Sequence, residues 1–367
     1  MKSEYGNILI NHIFSEQELE RYSRQLILSE VGLEGQEKLK NAKVLIVGGG
    51  GLGSPIGYYL ASAGTGTIGI IDYDVVGFSN LQRQIIYSTR DVGETKVSVF
   101  KKRLYEINPE VHVNAYDFKL TAENALDILS GYDIIADGSD NFATKYLVND
   151  ACVLLKKPLV YGSVLKFEGQ VSVFDSTKGP CYRCLFPEPP AAGEVPTCAE
   201  AGVLGVLPGI IGSIQANEVI KLILGTGNPL TGRLLQLDAL NMKFSELSFS
   251  KDGNCPVCGN NPSITHLIDY DSFCGNDIEH TPVNDWEITA EQLKNKMDRN
   301  DKFRLIDIRE QYESMITNIG GELIPMNNIP AKMDDFRKDE EIVLYCRTGH
   351  RSESVVQYLR KMGFAKA

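Results

Sequence analysis

The chain has 367 residues, 43% of them hydrophobic, and a formal net charge of −11. This length and apolar content can bury one large core and one smaller core, so we expect two domains. The acidic balance argues against a general nucleic-acid binder. No stretch approaches the roughly 18 consecutive apolar residues of a membrane span, and the first residues lack the charged-then-apolar pattern of an export signal. We therefore expect a cytoplasmic protein with neither a membrane nor a nucleic acid as partner.

In chain order, residues 15–40 are predicted to be helical and polar. A continuous apolar run, 44–47, then indicates a buried parallel strand, followed by a glycine-rich loop and a helix with Pro55 in its first turn. The next strand, 67–71, ends at Asp72. Further strands are predicted at 133–136, 159–161 and 170–174, with helical stretches between the first of them. The pattern predicts an α/β fold built on a doubly wound, Rossmann-like mixed sheet.

Residues 209–224 would be apolar on nearly every side of a helix, and Gly225 follows them. This pattern predicts a buried helix, for which a subunit interface is one possible location. Beyond residue 262 the periodicity fades and the chain becomes polar and acidic, so we assign 263–285 as a linker. The linker separates a first domain, 1–262, from a small α/β domain, 286–367. The elements predicted in the small domain are a helix at 289–297, strands at 303–308 and 341–345, and a helix at 352–362.

Three glycines, Gly48, Gly50 and Gly53, stand between the first strand and the helix that follows it. This spacing lets backbone N–H groups and a helix N-terminus approach phosphates. Asp72 follows 19 residues after Gly53, at the end of the second strand, where a carboxylate can accept hydrogen bonds from ribose hydroxyls. The pattern predicts a nucleotide site, and taken alone it fits a nicotinamide cofactor as well as ATP.

Charged residues downstream favour a triphosphate. Arg83 and Lys96 supply two cations that can neutralise charge developing on pyrophosphate, which a hydride-transfer site does not need. Asp137 and Asp140 flank a turn just after a strand, where a carboxylate can hold Mg²⁺. Asp140 or Ser139 could instead cap the helix that follows. The sequence therefore favours a site for ATP and Mg²⁺ over a nicotinamide site.

Four cysteines form two close pairs, Cys181 with Cys184 and Cys255 with Cys258, and 70 residues separate the pairs. Each pair can place two thiolates on one ion, and two pairs complete a tetrahedral Zn²⁺ shell with no open position. Such a closed site is structural, and here it would join distant segments of the chain. A redox dithiol is the alternative for either pair.

These motifs, in this order, resemble the ubiquitin-activating superfamily, and within it the adenylyltransferases of the ThiF, MoeB and HesA type. The resemblance covers residues 15–262 and is carried by the runs 21–25, 48–53, 72–74, 79–84 and 137–141 and by the two cysteine pairs. It implies ATP contacts from eight residues: Gly51, Asp72, Ser79, Asn80, Arg83, Lys96, Asp140 and Asn141. It also implies that Arg24 reaches into the site of a partner subunit, and therefore a homodimer. The resemblance implies the same structural zinc.

Cys198 lies between the cysteine pairs, in a loop rich in small residues. An exposed thiol there could attack an acyl-adenylate or resolve a persulfide, and an inert surface cysteine is the alternative. In the resembling family a cysteine at this position is the proposed acyl-accepting residue, which favours a catalytic role for Cys198.

Cys346 begins the run 346–351, Cys-Arg-Thr-Gly-His-Arg, between a predicted strand and a predicted helix. Backbone N–H groups and a helix N-terminus that converge on a sulfur lower its pKa, and Arg347 and Arg351 add positive charge. Together with the run 305–310, this loop resembles a rhodanese domain, whose catalytic cysteine carries transferable sulfur. A tyrosine-phosphatase loop is the competing interpretation, but it spaces its cysteine and arginine one residue further apart than Cys346 and Arg351.

Two features of the small domain depart from the rhodanese pattern. Residues 315–321 replace the usual histidine-containing turn. The sequence also ends at Ala367, where a rhodanese domain would continue through another strand. We therefore expect a shortened domain with an exposed sheet edge.

The two resemblances together imply one pathway. ATP adenylates the C-terminal glycine of a ubiquitin-like sulfur-carrier protein that ends in Gly-Gly, with Arg83, Lys96 and Asp140 serving this step. A persulfide on Cys346, supplied by a donor such as a cysteine desulfurase, then yields a carrier thiocarboxylate, and the sulfur would serve a pathway such as molybdopterin or thiamine biosynthesis. The alternatives are an ATP-dependent dehydratase that modifies a tRNA base, and a zinc-stabilised scaffold that binds nucleotide without catalysis.

Overall fold

The computed structural model describes residues 13–190, 201–274 and 286–367. The chain divides into two compact units, Met1–Asn276 and Asp277–Ala367. The first unit contains an eight-stranded sheet and the second a three-stranded sheet. This architecture confirms the predicted fold class, whereas the predicted domain boundaries stay a prediction.

The large sheet has the strand order β3-β2-β1-β4-β5-β6-β7-β8. Its strands are β1 (Lys43–Val47), β2 (Thr67–Ile71), β3 (His112–Tyr116), β4 (Ile134–Asp137), β5 (Leu159–Leu165), β6 (Glu168–Phe174), β7 (Arg233–Asp238) and β8 (Lys243–Ser248). The pairs among β3, β2, β1, β4 and β5 are parallel, and those from β5 to β8 are antiparallel. Because the chain leaves β1 on one side to form β2 and returns on the other to form β4, a crevice opens at the carboxyl ends of β1 and β4.

Helices cover both faces of this sheet. Those of the described part of the first unit are α1 (Glu16–Arg21), α2 (Ser23–Leu26), α3 (Gly32–Asn41), α4 (Gly53–Ala63), α5 (Lys96–Ile107), α6 (Ala125–Ser130), α7 (Phe142–Leu155), α8 (Tyr182–Leu185), α9 (Leu207–Leu224) and α10 (Tyr270–Phe273). The stretch 15–40 is thus divided among three helices, and the last of them begins at Gly32, whose φ of 52° is left-handed.

The central strands are apolar on both faces, as parallel strands covered by helices require. Val44 and Ile46 face a core formed with α4, α5 and α9, whereas Leu45 and Val47 face a core formed with α6 and α7. Continuous apolar runs therefore predicted these strands correctly from the sequence.

Helix α9 is the apolar helix that the sequence predicted, and it ends at Gly225 in the left-handed conformation. By length and composition alone α9 could cross a membrane, and in this structure 44% of its residues are buried. It packs against α4 and β5, so its apolar surface contributes to the core of the first unit.

Three strands of the large sheet, β3, β7 and β8, were not predicted, and two of them, β3 and β8, are its edge strands. β3 is mostly accessible, and β8 at the other edge is exposed along its whole length. Edge strands need not carry the continuous apolar run of a buried strand, so apolar periodicity gives little signal for them.

The second unit has a parallel sheet in the order β10-β9-β11. Its elements are α11 (Ala290–Asp298), β9 (Arg304–Asp307), α12 (Gln311–Ile316), β10 (Glu322–Leu323), two short 3₁₀ turns, β11 (Ile342–Tyr345) and α13 (His350–Lys361). Phe364 and Ala367 are buried, and the Lys366 carbonyl accepts a hydrogen bond from the Ile342 N–H. Residues near Ala367 therefore contact the start of β11, which is one of the two edge strands of this sheet.

Candidate active site and metal centre

The glycine loop joins β1 to α4 in a tightly packed turn. Gly48 has a φ of 93°, and a Cβ atom on Gly53 would lie only 2.1 Å from the Gly48 carbonyl oxygen. Larger residues are therefore excluded at both positions. The turn brings the N-terminus of α4 to the crevice, where free N–H groups can bind phosphate.

Asp72 follows β2 and fixes this loop. Its carboxylate accepts hydrogen bonds from the Gly49 N–H and the Asp74 N–H, both at 2.8 Å. Burial raises the pKa of Asp72, and the nearby Lys96 ammonium opposes that rise. The Lys96 ammonium lies 2.7 Å from Asp74 and 3.9 Å from Asp72, which places one cation beside two carboxylates at the end of β2.

The crevice collects most of the residues predicted to bind ATP. Those that line it are Gly51, Asp72, Arg83, Lys96, Asp140 and Asn141. Ser79 and Asn80 do not line it, but they shape the turn before Arg83. The Asn80 side chain accepts a hydrogen bond from the Gly77 N–H at 3.0 Å, and the Ser79 carbonyl accepts one from Arg83 at 3.0 Å. The structure thus brings six of the eight predicted residues to one crevice, while Ser79 and Asn80 lie in the turn that carries Arg83. ATP binding by these eight residues stays a prediction.

Arg24 lies on α2 and is exposed, and it does not line the crevice of its own chain. Within the residues that the structure describes, it forms no ion pair. This position leaves its guanidinium available to a partner molecule.

The turn after β4 carries the predicted magnesium ligand. Asp137 is buried and accepts hydrogen bonds from both the Ser139 N–H and the Ser139 hydroxyl, at 2.9 and 2.6 Å. The cap of α7 is Asn141, whose side chain accepts a hydrogen bond from the Thr144 N–H at 2.9 Å. The suggestion that Asp140 or Ser139 caps this helix was therefore wrong. Asp140 is exposed and faces the crevice, so its carboxylate can bind a cation.

Lys145 is a buried residue that sequence reasoning missed. Its ammonium donates hydrogen bonds to the Asp137 carboxylate at 2.8 Å and to the Ser139 and Gly162 carbonyls at 2.9 Å. Burial alone would lower the pKa of Lys145, but Asp137 raises it above its ordinary value, so the side chain stays charged. Lys145 thereby joins the end of β4, the following turn and β5. A lysine within an apolar helix was the signal in the sequence.

The four paired cysteines come together although the chain separates them widely. Cys181 and Cys184 lie at α8, and Cys255 and Cys258 lie in the loop after β8. All four sulfur atoms lie within 4.8 Å of one another, with separations of 3.9, 3.6 and 3.4 Å for the three closest contacts given by the structure. Four thiolates bound tetrahedrally to zinc at about 2.3 Å lie about 3.8 Å apart, so the cluster fits this ion.

A buried ion pair holds α8, where the first cysteine pair lies. Arg183, between the two cysteines of the first pair, binds the Asp150 carboxylate through Nε and Nη2 at 2.9 and 2.8 Å. Tyr270 donates a hydrogen bond to Asp150 at 2.7 Å, and the guanidinium lies over the rings of Tyr146 and Phe273. The metal centre is therefore attached to α7 and to α10, inside the stretch predicted as a linker.

Cys346 follows β11 in a loop that surrounds its sulfur with donors. The Gly349 N–H donates a hydrogen bond to the sulfur at 3.2 Å, and the Ser352 hydroxyl lies 3.5 Å away. Burial alone would raise the pKa of Cys346, but hydrogen bonds from Ser352 and from the Thr348 and Gly349 N–H groups lower it below its usual value. The loop can hold a thiolate or a persulfide anion.

The two arginines of this loop differ in their surroundings. Arg351 forms a two-point ion pair with Glu313 at 2.8 and 2.7 Å, so much of its charge is neutralised. Arg347 is exposed at the rim of the loop. Asp307 and Arg309, at the carboxyl end of β9, form a buried ion pair at 2.7 Å.

The predicted Cys198 lies outside the described residues.

Comparison with known proteins gives a family match for each of two stretches of the chain. Residues 22–257 match the ThiF family, and residues 289–367 match the rhodanese-like domain. A sulfur carrier protein adenylyltransferase of Thermus thermophilus is 54% identical over 267 residues, which are 71% of this chain and 98% of the relative. A probable adenylyltransferase/sulfurtransferase MoeZ of Mycobacterium tuberculosis is 45% identical over 362 residues, which are 96% of this chain and 91% of the relative.

Solved structures show the same fold. A crystal structure of E. coli MccB with ATP has a TM-score of 0.59 and 26% sequence identity, over 67% of this chain and 75% of the MccB chain. The fold and the two sites define an adenylyltransferase joined to a sulfurtransferase domain. The chain belongs to the ThiF family and carries a rhodanese-like domain, as its motifs indicated.

Proposed function

We propose that this enzyme adenylates the C-terminal glycine of a ubiquitin-like sulfur-carrier protein and converts it to a thiocarboxylate with sulfur held on Cys346. The observation that carries the proposal is the presence, in one chain, of a crevice with phosphate-binding and cationic groups and of a donor-lined cysteine loop. The names of the Thermus and Mycobacterium relatives agree with both halves of this reaction.

In the proposed complex, ATP binds in the crevice. The glycine loop and the N-terminus of α4 hold its phosphates, and Asp72 accepts hydrogen bonds from the ribose. Asp140 and its turn would hold Mg²⁺, which supplies charge neutralisation to the phosphates when bound. Asn141 and Gly51 line the same crevice and would also contact the nucleotide.

The carrier carboxylate attacks the α-phosphorus of ATP, an oxygen–phosphorus bond forms, and pyrophosphate leaves with the electrons of the bond that breaks. Arg83, Lys96 and the Arg24 of a partner subunit would neutralise the charge that develops on the phosphates. Because the carboxylate is already ionised, these residues act by positioning and electrostatics rather than by removing a proton. The contribution of Arg24 makes the active enzyme a homodimer.

The persulfide on Cys346 then attacks the activated carbonyl carbon. A carbon–sulfur bond forms, AMP leaves, and the carrier is joined to Cys346 through an acyl disulfide. A second thiolate breaks this sulfur–sulfur bond by attacking the Cys346 sulfur, which releases the thiocarboxylate and leaves Cys346 in a disulfide that a thiol reductant reopens. Cys198 is our candidate for the second thiol. A cysteine desulfurase would recharge Cys346.

The four-cysteine cluster would hold Zn²⁺ as a structural ion. Its four sulfurs leave no open position for a substrate, so it serves to join α8 to the loop after β8. Cytoplasmic location and a role in molybdopterin or thiamine biosynthesis stay predictions from the sequence.

Two other functions agree less well with the chain. A tRNA-base dehydratase of the same superfamily fits the crevice, but the acidic chain and the sulfur-binding loop disfavour it. A scaffold without catalysis would not need the cations Arg83 and Lys96 at the crevice.

The proposal is tested by ATP–pyrophosphate exchange with Mg²⁺ and a panel of purified carriers ending in Gly-Gly. We expect exchange with at least one carrier and its loss in Asp140→Ala, with Lys102→Met as a control on an exposed part of α5. Exchange with no carrier would reject adenylation of a sulfur carrier and favour the scaffold or the tRNA-directed reaction.

A further inference from the structure

Four large apolar side chains lie exposed on α12 and the turn after it. Tyr312, Met315, Ile316 and Ile319 have exposed fractions of 64%, 80%, 76% and 51%, and we call these four residues the apolar strip. Tyr312, Met315 and Ile316 share one face of α12 by their spacing, and Ile319 follows just after the helix ends. None of the four belongs to the core of the second unit, and no residue of α12 is buried. A short helix with its apolar face turned to solvent is typical of a binding surface.

The apolar strip is tied to the Cys346 loop at two places. Glu313, within the strip's helix, forms the two-point ion pair with Arg351, which lies in the first turn of α13. Gly320, directly after the strip, accepts a hydrogen bond at 2.8 Å from Tyr345, the residue before Cys346. A protein that brings a reactive atom to Cys346 would therefore meet the strip beside the loop.

The size of the strip indicates a transient complex. Four such side chains offer on the order of 500 Å² for burial, whereas a stable interface buries about 800 Å² per partner. A stable dimer of two strips is thus disfavoured. A protein that delivers an atom and leaves needs only a small interface.

Charge also favours an anionic reactant. The stretch 286–367 contains 14 acidic and 14 basic residues, so the net charge of −11 comes from the rest of the chain. At the rim of the loop, Arg351 is paired with Glu313, whereas Arg347 is exposed. Of the two arginines of the loop, Arg347 is therefore the one that is exposed and not paired with Glu313, and it can attract a negatively charged group such as a persulfide.

We propose that the apolar strip is the docking surface for a protein that delivers persulfide sulfur to Cys346, an inference that rests on the proposed function. The Cys346 thiolate attacks the outer sulfur of the donor persulfide. The sulfur–sulfur bond of the donor breaks, the donor leaves as a thiolate, and the proton stays on the transferred sulfur or passes to water. Both the donor and the activated carrier must reach Cys346, but in the proposed reaction the carrier is already bound at the ATP crevice. The donor alone therefore needs a docking surface of its own beside the Cys346 loop.

The test compares a protein donor with a small donor on the full-length chain. Met315→Ser/Ile316→Ser replaces two residues of the strip without adding charge near Cys346. Met362→Ser, an exposed residue at the far end of α13 from Arg351, is the matched control. The rate of persulfide formation on Cys346 is measured with a purified cysteine desulfurase charged with cysteine, and separately with thiosulfate.

We expect the double variant to load at least about tenfold more slowly from the desulfurase, while thiosulfate loading changes less than about twofold. Unchanged loading from the desulfurase would overturn the inference, and so would an equal loss with both donors, which would mean that the loop is damaged. A loss confined to carrier thiocarboxylation by preloaded enzyme would assign the strip to the carrier instead. Failure of the unsubstituted chain to load from either donor would reject the proposed function itself. ATP–pyrophosphate exchange is also measured on the double variant, and unchanged exchange would show that the strip does not act in adenylation.

Discussion

The Lys145 ammonium and the Asp137 carboxylate lie 2.8 Å apart, and both side chains are buried. The turn that begins at Asp137 also presents Asp140 to the crevice. Lys145 is thus a positioning residue, because it binds the Ser139 carbonyl of this turn and does not line the crevice itself.

Replacement of Lys145 by methionine should destabilise the first unit. The change leaves Asp137 as an unpaired buried charge, which costs about 3–5 kcal/mol of unfolding free energy. Because the pKa of folded Lys145 is raised, its contribution is fully present at pH 7 and is lost only as the pH rises through that pKa. Urea unfolding at pH 7, followed by a probe in the first unit, measures the loss.

Lys102→Met, on the exposed part of α5, is the control and should change stability by less than about 0.5 kcal/mol. Asp137→Asn added to Lys145→Met should recover part of the loss, because it removes the unpaired charge. A loss below about 1 kcal/mol in Lys145→Met would show that the pair contributes little.

One zinc ion per chain is expected in the purified protein. Cys184→Ser removes one of four thiolates, so metal content should fall and the first thermal transition should move down by several degrees. Elemental analysis and calorimetry measure the two effects. Cys274→Ser, a cysteine outside the cluster, should change neither. Full zinc content in Cys184→Ser would contradict the assignment of this cluster.

Arg24 should act on the site of the partner subunit. Arg24→Ala and Asp140→Ala are each expected to lose exchange activity, but mixing them lets each mixed dimer form one intact site. With free subunit exchange in an equal mixture, about one quarter of the sites are intact. ATP–pyrophosphate exchange after mixing is the measurement, and the separate variants are the controls. No recovery, with subunit exchange verified, would place Arg24 outside the partner's site.

The pKa of Cys346 should depend on Ser352. Removing the hydroxyl in Ser352→Ala takes away a hydrogen bond that lowers this pKa, so the alkylation profile should shift to higher pH. At neutral pH the variant therefore reacts more slowly with iodoacetamide than the unsubstituted chain does. Gln357→Ala, on the exposed side of α13, should leave the profile unchanged. A shift to lower pH in Ser352→Ala would contradict this account of the loop.

Local sequence determined much of this protein. The glycine spacing, the continuous apolar strands and the Cys346 run identify their elements, because each depends on residues that are neighbours along the chain. The paired cysteines could be matched across 70 residues because metal coordination uses few residue types at restricted spacings.

The tertiary structure decided what depends on distant contacts. Lys145 is buried against Asp137 and Gly162, and Arg351 is neutralised by Glu313, which lies 38 residues earlier in the chain. The exposure of the apolar strip also follows from packing, since its spacing alone would predict a buried helix face. Sequence periodicity records which residues share a face, whereas only the folded chain determines whether that face meets the core, a charge or solvent.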